Sequence, residues 1–285
     1  MLAEPTPAAL TAWKAALTSW DTWLLALVLV AAVPAFGYRR FRSLQRSSGP
    51  DFSVRRKLRI YASTVGTQWL LVLVMLLISR RHGLSLADLG ERAGRPRLTL
   101  AVTLGLLAIV AVVAALVIPR IRRSPLPALQ AALGKLRRIS PTLGPEMAAF
   151  VVVCLTAGMC EELLYRGWLM GLVRVASGSV WVAVAATSVV FGVGHAYQGI
   201  KGMLRTAFIG LQLAVLFVLV DSLVPGQVLH AAVDVVSGFG MAIAVGRLSK
   251  AEAEAGVAGS TQDGSVGPPP SGDGASAPPE GSLPG

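Results

Sequence analysis

The sequence predicts an all-α fold: a polytopic transmembrane helical bundle of about seven helices, followed by a disordered C-terminal tail. Three observations carry that expectation. The 285 residues are 54% hydrophobic and only 14% charged, the mean hydropathy is +0.64, and uncharged runs recur that approach the roughly 20 residues needed to cross a bilayer core. Such a composition excludes an ordinary soluble domain.

The elements follow in chain order. "TWLLALVLVAAVPAFGY" (22–38) is a first span, bent near its end by Pro34. "IYASTVGTQWLLVLVMLLIS" (60–79) is the second and "LTLAVTLGLLAIVAVVAALVI" (98–118) the third. "GPEMAAFVVVCLTAGMC" (144–160) opens a fourth, which runs into two adjacent glutamates. The fifth is "SVWVAVAATSVVFGVGH" (179–195), the sixth "MLRTAFIGLQLAVLFVLV" (203–220) and the seventh "PGQVLHAAVDVVSGFGMAIAVG" (225–246). No basic n-region precedes the first span, so it reads as a retained helix and not as a cleaved signal. From Ala251 onward the chain has acids, no Lys or Arg, and abundant Gly, Pro and Ser; it cannot bury enough surface to fold. The organisation expected is therefore a three-span region with basic loops (1–144), a four-span core (145–247) and a disordered tail (248–285).

The formal charge of +11 does not point to nucleic acid, because the bases sit in short loops beside apolar spans. Residues 39–59 and 119–144 are the most basic, and the loop between them is partly offset by Asp88 and Glu91. Positive-inside counting places the first and third loops and the tail in the cytoplasm of a plasma-membrane protein, with lipid headgroups as the partners of those bases. Cys154 and Cys160 are six apart, about 240° around one helix, and read as small buried hydrophobes.

Ionisable residues inside spans are costly and mark function. Glu161, Glu162 and Arg166 lie on the fourth span, His195 ends the fifth, and His230 and Asp234 lie early in the seventh. Glu162 and Arg166 are four apart and can form an ion pair, which leaves Glu161, about 100° away, for other work. His230 and Asp234 share the same spacing, so the acid can orient the imidazole. With straight helices and an extended descent over residues 196–202, Glu161, His195 and His230 fall in one layer of the bilayer. Asp221 reads as a solvated helix end, and His82 lies in a loop apart from these groups. Taken singly, each residue has a structural explanation; two acids and two of three histidines in spans do not.

In order along the chain, Glu161, Glu162 and Arg166 form EExxxR within "EELLYRGWLMGL", Phe191 and His195 form FxxxH, and His230 and Asp234 form HxxxD. This series resembles the motifs of the CPBP family, which takes in CAAX prenyl endopeptidases and bacteriocin-processing Abi relatives. The resemblance covers roughly Pro145 to Arg247. It implies a helical bundle with a water-filled cavity that hydrolyses a peptide bond near the membrane surface, in a peptide or membrane-anchored protein substrate. It further implies that Glu161 with His195 activates water, that His230 with Asp234 stabilises the oxyanion, and that Glu162 and Arg166 hold the first motif in shape. Asp234 stands where many relatives have Asn. The residues leave two chemistries open, metal-free hydrolysis and a Zn site made by Glu161, His195 and His230. A proton-coupled transporter and a non-enzymatic scaffold or immunity protein of the same fold are the competing functions.

Overall fold

The structure is a computed structural model; it describes residues 2–46 and 52–262, with side chains described as far as residue 255. Helices account for all regular structure among the described residues. The first, α1 (Pro7–Leu17), was not expected. Thr6 caps it by accepting the Ala9 N–H at 3.1 Å, Pro7 occupies the first turn, and Ala9, Ala12, Trp13 and Ala16 are buried. That spacing puts one apolar stripe inward. Trp13 packs so close to Gly171 that a Cβ there would meet its ring at 2.6 Å.

The spans follow. α2 (Trp20–Gln45) is long and apolar enough to cross a membrane, as are α3 (Val54–Arg81) and α4 (Pro96–Arg123). A π-turn at Val28–Ala32 interrupts α2 just before Pro34, where the proline cannot donate to the preceding turn. The helix then continues past the expected end at residue 38. In α4 the most apolar window has no buried residue. A helix surrounded by lipid needs no protein neighbour for its apolar faces. After the short α5 (Leu126–Leu133), α6 (Pro145–Ser177) forms a candidate span of 33 residues. It ends at Gly178, whose φ of 68° supplies the left-handed cap.

α7 (Val180–Gly194) is apolar but only 15 residues long, and the Ser179 hydroxyl caps it. α8 (Gly199–Val220) is separated from it by a single 3₁₀ turn, Ala196–Gln198. The extended descent expected over 196–202 therefore does not occur. Gly199 has φ 81°, a conformation glycine adopts at little cost, and it reverses the chain at once. α9 (Val224–Gln262) completes the series. Six candidate spans and one shorter apolar helix agree with the expected bundle of about seven.

Residues to Leu248 form one unit, and a second begins at Ser249. The disordered tail expected from 248 is helical as far as Gln262, where alanines and glutamates favour helix propagation; its remainder lies outside the described residues. Inside the first unit, Trp168, Met75, Phe191, Leu29 and Leu223 are fully buried in one apolar cluster. Cys154 and Cys160 are free and buried, as their reading required.

Candidate active site

The site is built where α6 changes its winding. Residues Glu162–Leu169 form a π-helix, all of them buried; such segments recur at functional sites because they redirect side chains within an otherwise regular helix. Glu162 Oε1 and Arg166 Nη1 lie 3.0 Å apart, each side chain 1% exposed. Arg166 also donates to the Gly210 carbonyl at 3.2 Å and lies 4.1 Å from the centre of the Phe191 ring. One guanidinium thus ties α6, α7 and α8 together.

His230 reaches this pair from α9. Its Nδ1 is 2.9 Å from Glu162 Oε1, and a carboxylate that also accepts from Arg166 makes Nδ1 the donor. The approach depends on Gly158. A Cβ there would lie 2.6 Å from the Gln227 carbonyl oxygen and 2.9 Å from Ala231 Cβ, so a larger residue would push α9 away. The other ring nitrogen, Nε2, faces Asp234 Oδ2 at 3.6 Å and Glu161 Oε2 at 3.9 Å. Glu162, closer than Asp234, is the group that orients His230.

Glu161 is held differently. Its Oε1 accepts from the Gln68 amide of α3 at 2.7 Å, while its buried Oε2 has no hydrogen-bond partner among the described residues. Exposure rises outward from the ion pair, with side chains 10% exposed at His230, 18% at Glu161 and 42% at Asp234. Asp234 is therefore the open end of the cluster.

His195 stands just past the end of α7. Its Nδ1 lies 2.9 Å from the Phe191 carbonyl, which can only accept, so Nδ1 carries hydrogen and a neutral ring keeps Nε2 as an acceptor. The Phe191 ring lies between the two imidazoles, with centroids 4.9 Å from His195 and 6.0 Å from His230. All six expected site residues are thus gathered around Phe191 and the π-helix, Glu161 touching His230 more directly than His195.

One expectation changes. Asp221 is not a solvated helix end: it pairs with Arg92 at 2.5 Å and accepts the Ala3 N–H at 3.2 Å. His82 lies apart from this cluster, with Nε2 3.2 Å from Asp21. Two further polar contacts escaped the sequence reading. Lys57 and Glu146 form a buried pair at 3.0 Å, and Gln227 donates to Glu91. Gln68 also escaped it, although a single amide inside "TVGTQWLLVLV" was a visible signal. Among the described residues, no group of three or more His, Cys, Asp or Glu side chains is arranged to hold a metal ion.

A bundle of apolar helices with a carboxylate and imidazole cluster at a π-turn defines an integral membrane protein with ionisable groups inside its spans. Residues 143–236 match the family model described as type II CAAX prenyl endopeptidase Rce1-like. The match supports a CAAX-type intramembrane protease of the CPBP family. The matched segment opens at the start of α6 and closes just after Asp234, so it contains every expected site residue. Neither the curated proteins nor the solved structures yield a match to the chain.

Proposed function

We propose that this protease hydrolyses a peptide bond of a membrane-anchored peptide or protein, with Glu161 and His195 activating the attacking water. The observation that carries the reading is the division of labour on Glu161. One oxygen is occupied by Gln68, and the other is buried, unpartnered and 3.9 Å from His230 Nε2. A buried acceptor with no donor is uncommon in folded proteins and calls for a functional explanation.

In this mechanism water donates one hydrogen toward Glu161 Oε2 and attacks the scissile carbonyl as its proton passes to the carboxylate. The carbonyl π electrons move onto oxygen, and His230, acting as the imidazolium with hydrogen on both ring nitrogens and fixed through Nδ1 by Glu162, offers Nε2–H to the oxyanion. Collapse of the tetrahedral species breaks the C–N bond, and the departing nitrogen takes the proton that Glu161 received. His195 Nε2, the acceptor nitrogen, assists the first transfer. Asp234, the outermost group, lies beside His230 Nε2 and steadies its hydrogen. Arg166 and Glu162 take no part in bond making; they hold His230 in place.

The matching family is described as a CAAX prenyl endopeptidase; peptides with and without a prenyl group therefore belong in the test. Purified full-length protein in detergent, with Glu161→Ala and His195→Ala, is incubated with such peptides, with and without a zinc chelator. Cleavage by the wild type that both substitutions abolish supports the proposal. Cleavage that survives Glu161→Ala overturns it. Loss of cleavage with chelator, restored by zinc, would assign the water activation to a metal instead.

A further inference from the structure

We infer that Gln68 is a positioning residue of this protease, holding one oxygen of Glu161 so that the other faces the reacting centre. The inference rests on the proposed function of Glu161, and it concerns a residue of α3 that lies outside the matched segment 143–236.

α3 and α6 pack side by side. Lys57 meets Glu146 near their N-terminal ends, and Gln68 meets Glu161 further along both helices, so the two run in the same direction. At 2.7 Å the Gln68 amide is within good hydrogen-bond range of Glu161 Oε1. A carboxylate oxygen accepts, which fixes the NH₂ end of the amide toward it. The far oxygens of the same two side chains, Gln68 Oε1 and Glu161 Oε2, are two of the four buried polar side-chain atoms without a partner among the described residues. A contact made only to satisfy polar groups between two spans would satisfy both ends. This one satisfies the inner atoms and leaves the outer ones free.

The geometry has a chemical consequence. A free carboxylate can rotate about its terminal torsion, which is broad for Glu. With Oε1 held by the amide, Oε2 keeps its orientation toward His230 Nε2 and Asp234, the neighbourhood in which a water must be held for attack. Glu162 lies deeper, with its side chain 1% exposed against 18% for Glu161, and its Oε1 is engaged by Arg166 and His230. Gln68 therefore acts through Glu161 and touches no reacting atom.

The test uses full-length protein in detergent. Gln68→Met keeps the side-chain length and removes the donor, and Glu161→Gln is the reference. With a peptide that the wild type cleaves, Gln68→Met is expected to lower kcat by about 10–100-fold while KM stays within about twofold, the pattern of a misplaced reacting group. The infrared carboxylate band assigned to Glu161, by its loss in Glu161→Gln, should shift in Gln68→Met with the thermal midpoint unmoved. A Gln68→Met protein with wild-type kcat, or with an unmoved band, overturns the inference; if Glu161→Gln is then inactive, the protease reading stands without it. A lowered midpoint with unchanged kcat makes Gln68 structural glue and overturns it equally. Wild-type cleavage by Glu161→Gln removes both readings together, and where no peptide is cleaved the infrared band alone decides.

Discussion

Two ion pairs lie equally deep in this protein and differ in what they touch. Lys57–Glu146 and Arg166–Glu162 both measure 3.0 Å, with side chains no more than 3% exposed. Glu146 Oε2 receives Lys57, the Thr142 N–H at 2.8 Å and the Thr142 hydroxyl at 2.9 Å. Among the described residues no further hydrogen bond or ion pair of Glu146 leads on from that cluster. Glu162 instead hands its second contact to His230, whose other nitrogen faces Asp234 and Glu161, and exposure increases along the way. A charge buried in a span is a functional hypothesis by default. Burial alone therefore does not separate the two pairs: the cluster proposed as functional is the one that ends in an acceptor without a hydrogen-bond partner among the described residues.

The largest effect expected from that criterion falls at its unpartnered end. Glu161→Ala should lower kcat about 10²–10⁴-fold, the usual contribution of a general base, while the thermal midpoint stays near the wild-type value. A large fall in midpoint would instead make Glu161 a structural group, no different in kind from Glu146. Next in size is Glu162→Gln, which leaves Arg166 buried without its partner and should cost about 3–5 kcal/mol of stability, and also lowers kcat through the loss of a fixed His230. Lys57→Met leaves Glu146 equally stranded and should cost a similar amount, about 3–5 kcal/mol, measured by unfolding in mild detergent. The rate per folded molecule should then be unchanged. Equal losses of rate in Glu162→Gln and Lys57→Met would show that the closed and open clusters do not differ in function.

Much of the proposed site was legible in the sequence, and the closed cluster was not. Glu161, Glu162 and Arg166 stood out because charges are rare in apolar runs, and the spacing of four between Glu162 and Arg166 correctly gave their ion pair. Lys57 and Glu146 lie at span ends beside basic loops or a turn, where charge is ordinary, so burial could not be read from them. The π-helix at Glu162–Leu169 left no compositional mark. Within it Trp168 and Arg166 are almost fully buried. Gln68 shows a different limit: it carries no charge, and a search for ionisable groups passes over an amide. The placement of His230 against Glu162, not merely at its level, depends on the absence of a Cβ at Gly158, and a lone glycine in a helix gives no indication of which neighbour approaches it.

A third pair, Arg92–Asp221, stands at the exposed end of the series. It is short, 2.5 Å, yet its side chains are 33% and 16% exposed. If burial sets the cost of breaking an ion pair in this protein, this one should matter least. Asp221 also sits in the left-handed region, φ 61°, closing α8, and asparagine tolerates that conformation as aspartate does. Asp221→Asn therefore removes the charge without adding backbone strain, and its amide oxygen can still accept the Ala3 N–H. The expected loss is about 0.2–1 kcal/mol, the range for partly solvated pairs, with kcat unaltered. Asp221→Val keeps neither the charge nor an easy left-handed conformation, and should add about 1–3 kcal/mol of backbone strain. The difference between the two substitutions measures the turn, and the Asn variant alone measures the ion pair. Should Asn cost as much as Lys57→Met, contact distance and not burial would rank these pairs, and the depth shared by the first two would lose its meaning as a control.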